Sequence, residues 1–331
     1  YWAEEYHMDG FRVDLMGIHD IETMNTVAAE LHSIDPTIFV YGEGWKAGDS
    51  PLDEKQLAVK ANTPQLTGIA AFSDDVRDAI KGHVFTHDAT GFISGNETLK
   101  ESLKFGIVAA TQHPQVDYGD INYSEAAWAP QPDQCMTYMS CHDNHTLWDR
   151  LTLSRPEATE AEKIQMHKLA GTIVLTSQGV SFLHAGVDFL RTKDGVENSF
   201  NSPDAINQID WSRKHKYREI FDYFRELIAI RKAHPAFRMT STADIQKNLE
   251  FIDTDDENLV AYTLNGAAVG DSWKRIVVAY NGKDQAQGIE VPSGNWKIVV
   301  DGGVVNTEGI GQHNGGMIPV SRNAALILVE E

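Results

Sequence analysis

Cysteine is nearly absent from this chain of 331 residues, which contains only Cys135 and Cys141. Two cysteines are too few for a disulfide framework or for a structural zinc site built from cysteines. If both lay on one strand, six residues at ~3.3 Å each would place them ~20 Å apart, too far for a disulfide bond. Cysteine usage therefore leaves the redox compartment undetermined.

Basic charge is scarce as well. Lys and Arg total 28 against 48 Asp and Glu, so the formal net charge is −20. Phosphate backbones and anionic lipid would repel such a chain, which argues against nucleic acids and membrane surfaces as partners. No run of about 18 apolar residues exists, so no membrane span is predicted. Hydrophobic residues still make up 42% of the chain, which is typical of a packed globular protein.

The first ten residues, YWAEEYHMDG, contain no initiator methionine and no basic or apolar segment of a signal peptide. They resemble the end of a helix, so we expect the natural polypeptide to start further upstream. Localisation and oligomeric state are not fixed by the sequence.

The pattern of elements changes once along the chain. Up to residue 238, short apolar runs alternate with helical patterns, which is typical of βα units around a parallel sheet. Strands are predicted at 10–15, 38–41, 69–72, 136–141 and 180–184. Helices are predicted after Asp20, at 97–105, at 160–176 and at 217–233, with a long irregular excursion over 85–134. From 239 to 331, short β-rich runs between Gly, Asn and Asp turns predict a second domain, an antiparallel β-sandwich.

Three carboxylates follow predicted strands: Asp14, Glu43 and Asp143. In a barrel of parallel strands, active sites are built at the carboxyl ends of the strands. Asp14 and Glu43 are 29 residues apart, the length of one strand–helix unit, so their side chains should face each other. Two close carboxylates can divide the roles of nucleophile and proton donor in glycoside cleavage. The alternative for each carboxylate alone is a helix N-cap or an ion pair.

Residues near the three carboxylates also have both a functional and a structural interpretation. Arg12 lies on the same strand face as Asp14 and can hold it ionised, or form a plain salt bridge. His142 precedes Asp143 and could equally be a core histidine. Aromatic residues near the motifs either stack on sugar rings or pack in the core; they are Trp45, Trp148, Phe200 and Trp211. Polar loop residues either bind hydroxyls or make Asx-turns; they are Asn198, Asn201 and Asp204.

Three clusters, GFRVDLMG, VYGEGW and the HDN of SCHDNHTLWDRL, resemble conserved regions of the α-amylase family of glycoside hydrolases. The strings YHMDGFRVDLMG, HDNHTLWDRL and FLRTKDGVENSFNSPDAINQIDW are similar to type I pullulanases, the α-1,6 debranching enzymes. The match covers most of residues 1–235, and IPVSRNAALIL resembles the last strand of that family's C-terminal sandwich. The resemblance implies a partial (β/α)₈ barrel, about its last five βα units, followed by an antiparallel β-sandwich.

The resemblance also implies roles. Asp14 would be the nucleophile, Glu43 the general acid and then base, and Asp143 the residue that stabilises the transition state. Retention of configuration would follow, because a short gap between two carboxylates leaves no room for an inverting water. The residues predicted to bind substrate are Arg12, His142, Trp45, Asn144, Trp148, Asn198 and Asn201.

The chain also departs from the family pattern. A conserved third-strand cluster with an Asp and a His is absent, so we expect the remainder of the barrel to be supplied by the upstream polypeptide. Ser140-Cys141 stands where these enzymes more often have a Glu and a small polar residue. Calcium occurs in the family, but no oxygen-rich loop with ligand spacing is present, so no cofactor and no metal ligand is predicted.

The predicted function is hydrolysis of α-1,6-glucosidic links in pullulan and branched α-glucans by a retaining mechanism. One alternative is an α-1,4-acting relative such as a neopullulanase or an α-amylase. Another is a non-catalytic α-glucan-binding protein, which should have lost a core carboxylate, although all three are present. A Rossmann-type nucleotide binder is excluded because no Gly-rich phosphate loop follows any strand.

Overall fold

The computed structural model describes residues 1–331. Its first part contains a five-stranded sheet whose strands follow chain order, each parallel to the next. These strands are β1 (Gly10–Val13), β2 (Phe39–Gly42), β3 (Ile69–Phe72), β4 (Cys135–Thr137) and β5 (Val180–Ser181). Strands β1 and β5 form the two edges of the sheet. The predicted parallel α/β region is confirmed at this level.

Helices connect and cover these strands. The ten α-helices are α1 (Trp2–Tyr6), α2 (Ile21–Ile34), α3 (Asp74–Lys81), α4 (Lys100–Ile107), α5 (Leu147–Ser154), α6 (Glu160–Thr176), α7 (Asp204–Asn207), α8 (Ser212–Lys216), α9 (Arg218–Ala233) and α10 (Thr242–Asn248). Helix α2 begins where predicted, because the Asp20 side chain accepts a hydrogen bond from the Thr23 N–H at 2.7 Å. Helix α6 begins with a capping box between Thr159 and Glu162. No helix is both long enough and apolar enough to cross a membrane.

Three predicted strands are too long. Strand β1 ends at Val13 rather than at residue 15. Strand β4 ends at Thr137 rather than at residue 141, because its neighbour β3 ends at Phe72 and Ser73 caps helix α3. Beyond Phe72, β3 no longer pairs with β4. Strand β5 ends at Ser181, which is the last residue paired with β4. The HDN motif therefore lies in a loop, five residues beyond the end of β4.

The second part is antiparallel. Its strands are β6 (Leu249–Ile252), β7 (Leu259–Leu264), β8 (Arg275–Asn281), β9 (Gln287–Val291), β10 (Trp296–Asp301), β11 (Val304–Val305), β12 (Gly311–His313), β13 (Gly316–Val320) and β14 (Ala324–Glu330). Seven form one sheet in the order β11-β10-β14-β8-β7-β6 with β12 paired to β10, while β9 and β13 form a two-stranded ribbon. The predicted antiparallel region is confirmed, and the domain boundary between residues 238 and 239 stays a prediction.

Alternate residues of β7 join two different hydrophobic clusters. Leu259 and Ala261 join a buried cluster that includes residues of the ribbon, whereas Val260 and Tyr262 join a larger cluster of 60 buried residues. That larger cluster also contains residues of the parallel sheet and of α6 and α9. The Tyr262 and Tyr280 hydroxyls lie 2.9 Å apart, and the Tyr280 hydroxyl also contacts the Thr176 hydroxyl. The two parts of the chain therefore share one hydrophobic core.

Candidate active site

A cavity of about 180 Å³ lies at the carboxyl ends of the parallel strands. Residues near or beyond the carboxyl ends of all five strands reach it together, because parallel strands end at the same edge of a sheet. Its lining consists of Arg12, Tyr41, Glu43, Trp45, Phe72, Tyr138, Cys141, His142 and Phe182. Four residues predicted as site residues, Arg12, Glu43, Trp45 and His142, thus share one cavity.

One guanidinium joins the first two candidate carboxylates. Arg12 Nη1 lies 2.6 Å from Asp14 Oδ1, and Arg12 Nη2 lies 2.9 Å from Glu43 Oε1. Arg12 can reach both because β1 and β2 are adjacent parallel strands. The structure therefore brings Asp14 and Glu43 together, as their spacing predicted.

Glu43 is the buried member of this pair, with 7% of its side chain exposed. Its Oε2 accepts a hydrogen bond from the Leu15 N–H at 2.9 Å. Burial raises the pKa of the Glu43 carboxyl above its ordinary value, against the opposing effects of the Leu15 N–H and the Arg12 guanidinium. The nearby carboxylates of Asp14 and Asp143 raise the pKa of Glu43 further. This carboxyl is therefore favoured as a proton donor.

Asp14 differs from Glu43 in exposure, since 71% of its side chain is accessible. The backbone around it is tightly constrained. Leu15 has a φ of 46°, an unusual left-handed conformation for leucine, and in it the Leu15 N–H reaches Glu43. A Cβ at Gly42 would lie 2.6 Å from the Val13 carbonyl oxygen, so only glycine fits at the end of β2.

Asp143 lies on an exposed loop beside the cavity. Its Oδ2 is 3.4 Å from His142 Nε2, and half of its side chain is accessible. Asn144 has a φ of 58° and donates a hydrogen bond to Glu197 at 2.8 Å. Lys193 donates to the carbonyl oxygen of His142 at 3.0 Å. Asn144 therefore holds the loop in place rather than lining the cavity.

Buried charged residues on α3 lie beside residues that line the cavity. The sequence analysis did not identify them as part of the site. Arg77 donates to Asp78 at 2.6 Å and to the Tyr138 hydroxyl at 3.0 Å, and its guanidinium lies 6.0 Å from the Trp45 ring centroid. Burial lowers the pKa of Lys81 to about 7. The sequence signal was a run of charged residues directly after a buried strand, but a charged run ordinarily predicts a solvated face.

An aromatic cluster on the same face of the sheet was also missed. The Phe72 ring lies 5.6 Å from Tyr41, 4.9 Å from Tyr138 and 5.2 Å from Phe182, all between ring centroids. Such tilted and edge-to-face contacts are favourable arrangements for aromatic rings. The available signal was an aromatic residue within one residue of the end of each of β2 to β5.

Trp148 does not line this cavity, and its predicted role in substrate binding stays a prediction. It lies on α5 and packs against the rings of His167 and Tyr217, with centroids 6.4 and 6.5 Å away. Phe200 and Trp211 are exposed and do not line the cavity either.

The polar loop residues Asn198, Asn201 and Asp204 are exposed and lie outside the cavity lining. Asn207, which the sequence analysis did not single out, orders this loop. Its Nδ2 donates to the carbonyl oxygens of Ser199 at 2.7 Å and Ser202 at 3.0 Å. The predicted substrate contacts of Asn198 and Asn201 therefore stay predictions.

Comparison with known proteins finds pullulanases both by sequence and by structure. A family profile described as "Pullulanase, all-beta domain" matches residues 245–304. A pullulanase of Bacillus subtilis is 42% identical over 281 residues, which is 85% of this chain and 38% of the relative. The solved pullulanase from Bacillus acidopullulyticus is 39% identical with a TM-score of 0.91, covering 100% of this chain and 39% of that one. A type I pullulanase of Bacillus subtilis, solved with maltose, is 38% identical with a TM-score of 0.91, covering 99% of this chain and 44% of that one.

The resemblance inferred from the motifs is therefore confirmed: the chain is similar, over nearly its whole length, to part of the pullulanases of the α-amylase family. It spans less than half the length of each of these relatives.

Proposed function

We propose that the chain carries the catalytic carboxylates of a pullulanase-type glycoside hydrolase that cleaves α-1,6-glucosidic links in pullulan and branched α-glucans. The observation that carries this proposal is the pairing of one guanidinium, Arg12, with both the exposed Asp14 and the buried Glu43. The finer fold assignment belongs to the same proposal: the five parallel strands are a sector of a (β/α)₈ barrel, and the antiparallel strands form a β-sandwich.

In the first step, the Asp14 carboxylate attacks the anomeric carbon while the Glu43 carboxyl gives its proton to the glycosidic oxygen. The glycosidic C–O bond breaks, and the sugar is held as an ester of Asp14. The burial that raises the pKa of Glu43 keeps the proton available for this step.

In the second step, Glu43 takes a proton from water, and the water oxygen attacks the anomeric carbon. Asp14 leaves as a carboxylate, and two displacements together retain the configuration. Arg12 holds the two carboxylates near each other, and a short separation favours this route because an inverting water needs a wider gap. Asp143 and His142, on the same rim, would bind sugar hydroxyls and stabilise positive charge at the reacting centre.

The test uses a chimera in which this chain replaces the corresponding segment of the Bacillus subtilis pullulanase. We expect Glu43→Gln to lower the rate on pullulan by about 10²–10⁴-fold, because the proton donor is lost. Substrates with good leaving groups should be spared, since they need no proton. Asp14→Asn should abolish hydrolysis of both substrate types. Glu54→Gln is the matched control, because Glu54 is exposed and lies outside the cavity lining.

The products distinguish the bond that is cut. Maltotriose from pullulan supports α-1,6 cleavage, whereas panose-type products would support the α-1,4-acting alternative. A Glu43→Gln chimera that cleaved pullulan at the parent rate would falsify the assignment of the acid. Measured alone, the chain should be less active than the chimera by about 10²–10³-fold, because β1 carries Arg12 at an unsupported sheet edge and preorganisation of the site is lost.

A further inference from the structure

We propose that Cys141, His142 and Asp143 form a binding site for a divalent cation of the zinc type at the rim of the cavity. A sulfur, an imidazole nitrogen and a carboxylate oxygen from these three consecutive residues lie within 4.8 Å of one another. The sequence analysis predicted no metal ligand, because the chain lacks the repeated Cys and His spacings of structural zinc motifs. The loop conformation, rather than a spacing motif, brings the three groups together.

The distances suit a small cation after modest rearrangement. Zinc bonds of ~2.3 Å to sulfur and ~2.0–2.2 Å to nitrogen or oxygen place tetrahedral ligand atoms roughly 3.5 Å apart. His142 Nε2 and Asp143 Oδ2 are already 3.4 Å apart. Both side chains are largely exposed and free to rotate towards Cys141, which lines the cavity. A fourth position would remain open for water or for a substrate hydroxyl.

The ligand types determine which cation is preferred. A thiolate with an imidazole and one carboxylate suits zinc and similar transition metals, whereas calcium and magnesium prefer oxygen ligands throughout. On binding, the Cys141 thiol releases its proton to solvent and the sulfur coordinates as thiolate, with no change in oxidation state.

Positively and negatively charged side chains both lie near the proposed site. Lys81 and Lys193 lie near this loop, and their ammonium groups donate to its backbone carbonyl oxygens, those of His145 and His142. Asp14 and Glu43 lie on the same rim, and the chain as a whole carries a formal charge of −20. The carboxylates and the negative net charge favour an added cation and the two lysines oppose it, so binding depends on the three ligands themselves.

The consequence for activity rests on the proposed function. A cation bound here would engage Asp143 and His142, the two residues proposed to bind sugar hydroxyls. Glucan and metal would then compete, so zinc should inhibit hydrolysis through a site within the active centre.

Binding is tested on the chain itself with Co²⁺ as the probe, because a cobalt–thiolate bond gives a charge-transfer band in the near ultraviolet. We expect one Co²⁺ per chain, with this band, and displacement by Zn²⁺. The band should disappear in Cys141→Ser, and Co²⁺ affinity should fall at least about 10-fold in Asp143→Asn, since even outer-shell partners of metal sites cost 10–100-fold. Cys135→Ser is the matched control, because Cys135 is fully buried in β4 and should leave the band intact.

Absence of the band in the parent chain, or its persistence in Cys141→Ser, would overturn the metal site. Circular dichroism of each variant establishes that it is folded, and Cys141→Ala provides a second removal of the sulfur. In the chimera, the Zn²⁺ concentration for half-inhibition of pullulan hydrolysis should rise at least about 10-fold in Cys141→Ser. Cobalt binding without inhibition by zinc would uphold the metal site and contradict the role proposed for Asp143 and His142.

Discussion

Strands β1 and β8 show how differently the two parts of the molecule are built. In β1, Gly10 is exposed and the other three residues are only partly buried, and the strand has a neighbour on one side. In β8, six of seven residues are buried, and the strand lies between β7 and β14. Asp14 thus follows a partly buried edge strand, whereas a central strand of the antiparallel sheet is almost entirely buried.

The difference has a physical reason. A carboxylate that attacks substrate must be reachable, and a fully buried carboxylate would pay a large desolvation cost. Glu43 is the exception, since it is buried but held by Arg12 and the Leu15 N–H. A site with exposed groups has to be held in place by buried residues. The shared hydrophobic cluster of 60 buried residues provides them.

The largest effect expected from this comparison is in amide hydrogen exchange. Peptides covering Gly10–Val13 should exchange at least about 10³-fold faster than peptides covering Arg275–Asn281. Edge strands open locally at low free energy, whereas central buried strands exchange only through near-global unfolding. Mass spectrometry of the intact chain after timed labelling measures both segments in one sample. Equal protection of the two strands would contradict the picture of a loosely held β1.

Substitutions should separate the same two regions by stability. Phe224 is 1% exposed, and its ring packs so closely on α6 that a Cβ at Gly171 would lie 2.4 Å from it. We expect Phe224→Ala to lower the free energy of unfolding by about 3–5 kcal/mol. Asp14→Asn should change it by less than about 1 kcal/mol, because the Arg12 ion pair is exposed at its Asp14 end. Urea unfolding measures both variants, and similar losses would show that stability is not concentrated in the shared core.

Much of the fold could be predicted from periodicity and capping residues. Helix α6 was predicted with its observed bounds, and in the structure a capping box between Thr159 and Glu162 marks its start. The pairing of Asp14 with Glu43 followed from their spacing, since consecutive parallel strands end at one edge. These features depend on local sequence, so a single sequence suffices to find them.

Features that depend on the neighbours of a residue could not be predicted. Strand β4 is short because β3 ends early, and β3 is distant in sequence. Arg77 and Lys81 look like solvated charges until their burial under the cavity is seen. Trp148 is close to the HDN motif in sequence, but α5 turns it towards other helices. Position in the sequence predicted well which carboxylates come together. It predicted poorly which of the nearby aromatic residues line the cavity.

The smallest expected effect is a change in stability at acid pH that is caused by the buried imidazole of His167. This side chain is fully buried on α6, and its Nε2 lies 2.7 Å from the carbonyl oxygen of Val187. Burial lowers the pKa of His167 from 6.5 to about 4. Above pH 6.5 the imidazole is neutral in both the folded and unfolded chain, so it has no effect on the pH dependence. Between pH 6.5 and about 4 only the unfolded chain takes up the proton, so stability falls as the pH falls.

His167→Gln should therefore flatten the acid limb of the stability profile. A Gln amide can replace the imidazole as donor to Val187 but does not titrate. At about 1.4 kcal/mol per pH unit, the parent chain should lose about 2 kcal/mol more than the variant between pH 7.5 and pH 5. Urea unfolding at the two pH values measures the difference, and His215→Gln, which removes an exposed imidazole, is the control. Parallel profiles for the parent and His167→Gln would show that this buried imidazole of the shared core does not cause the acid sensitivity.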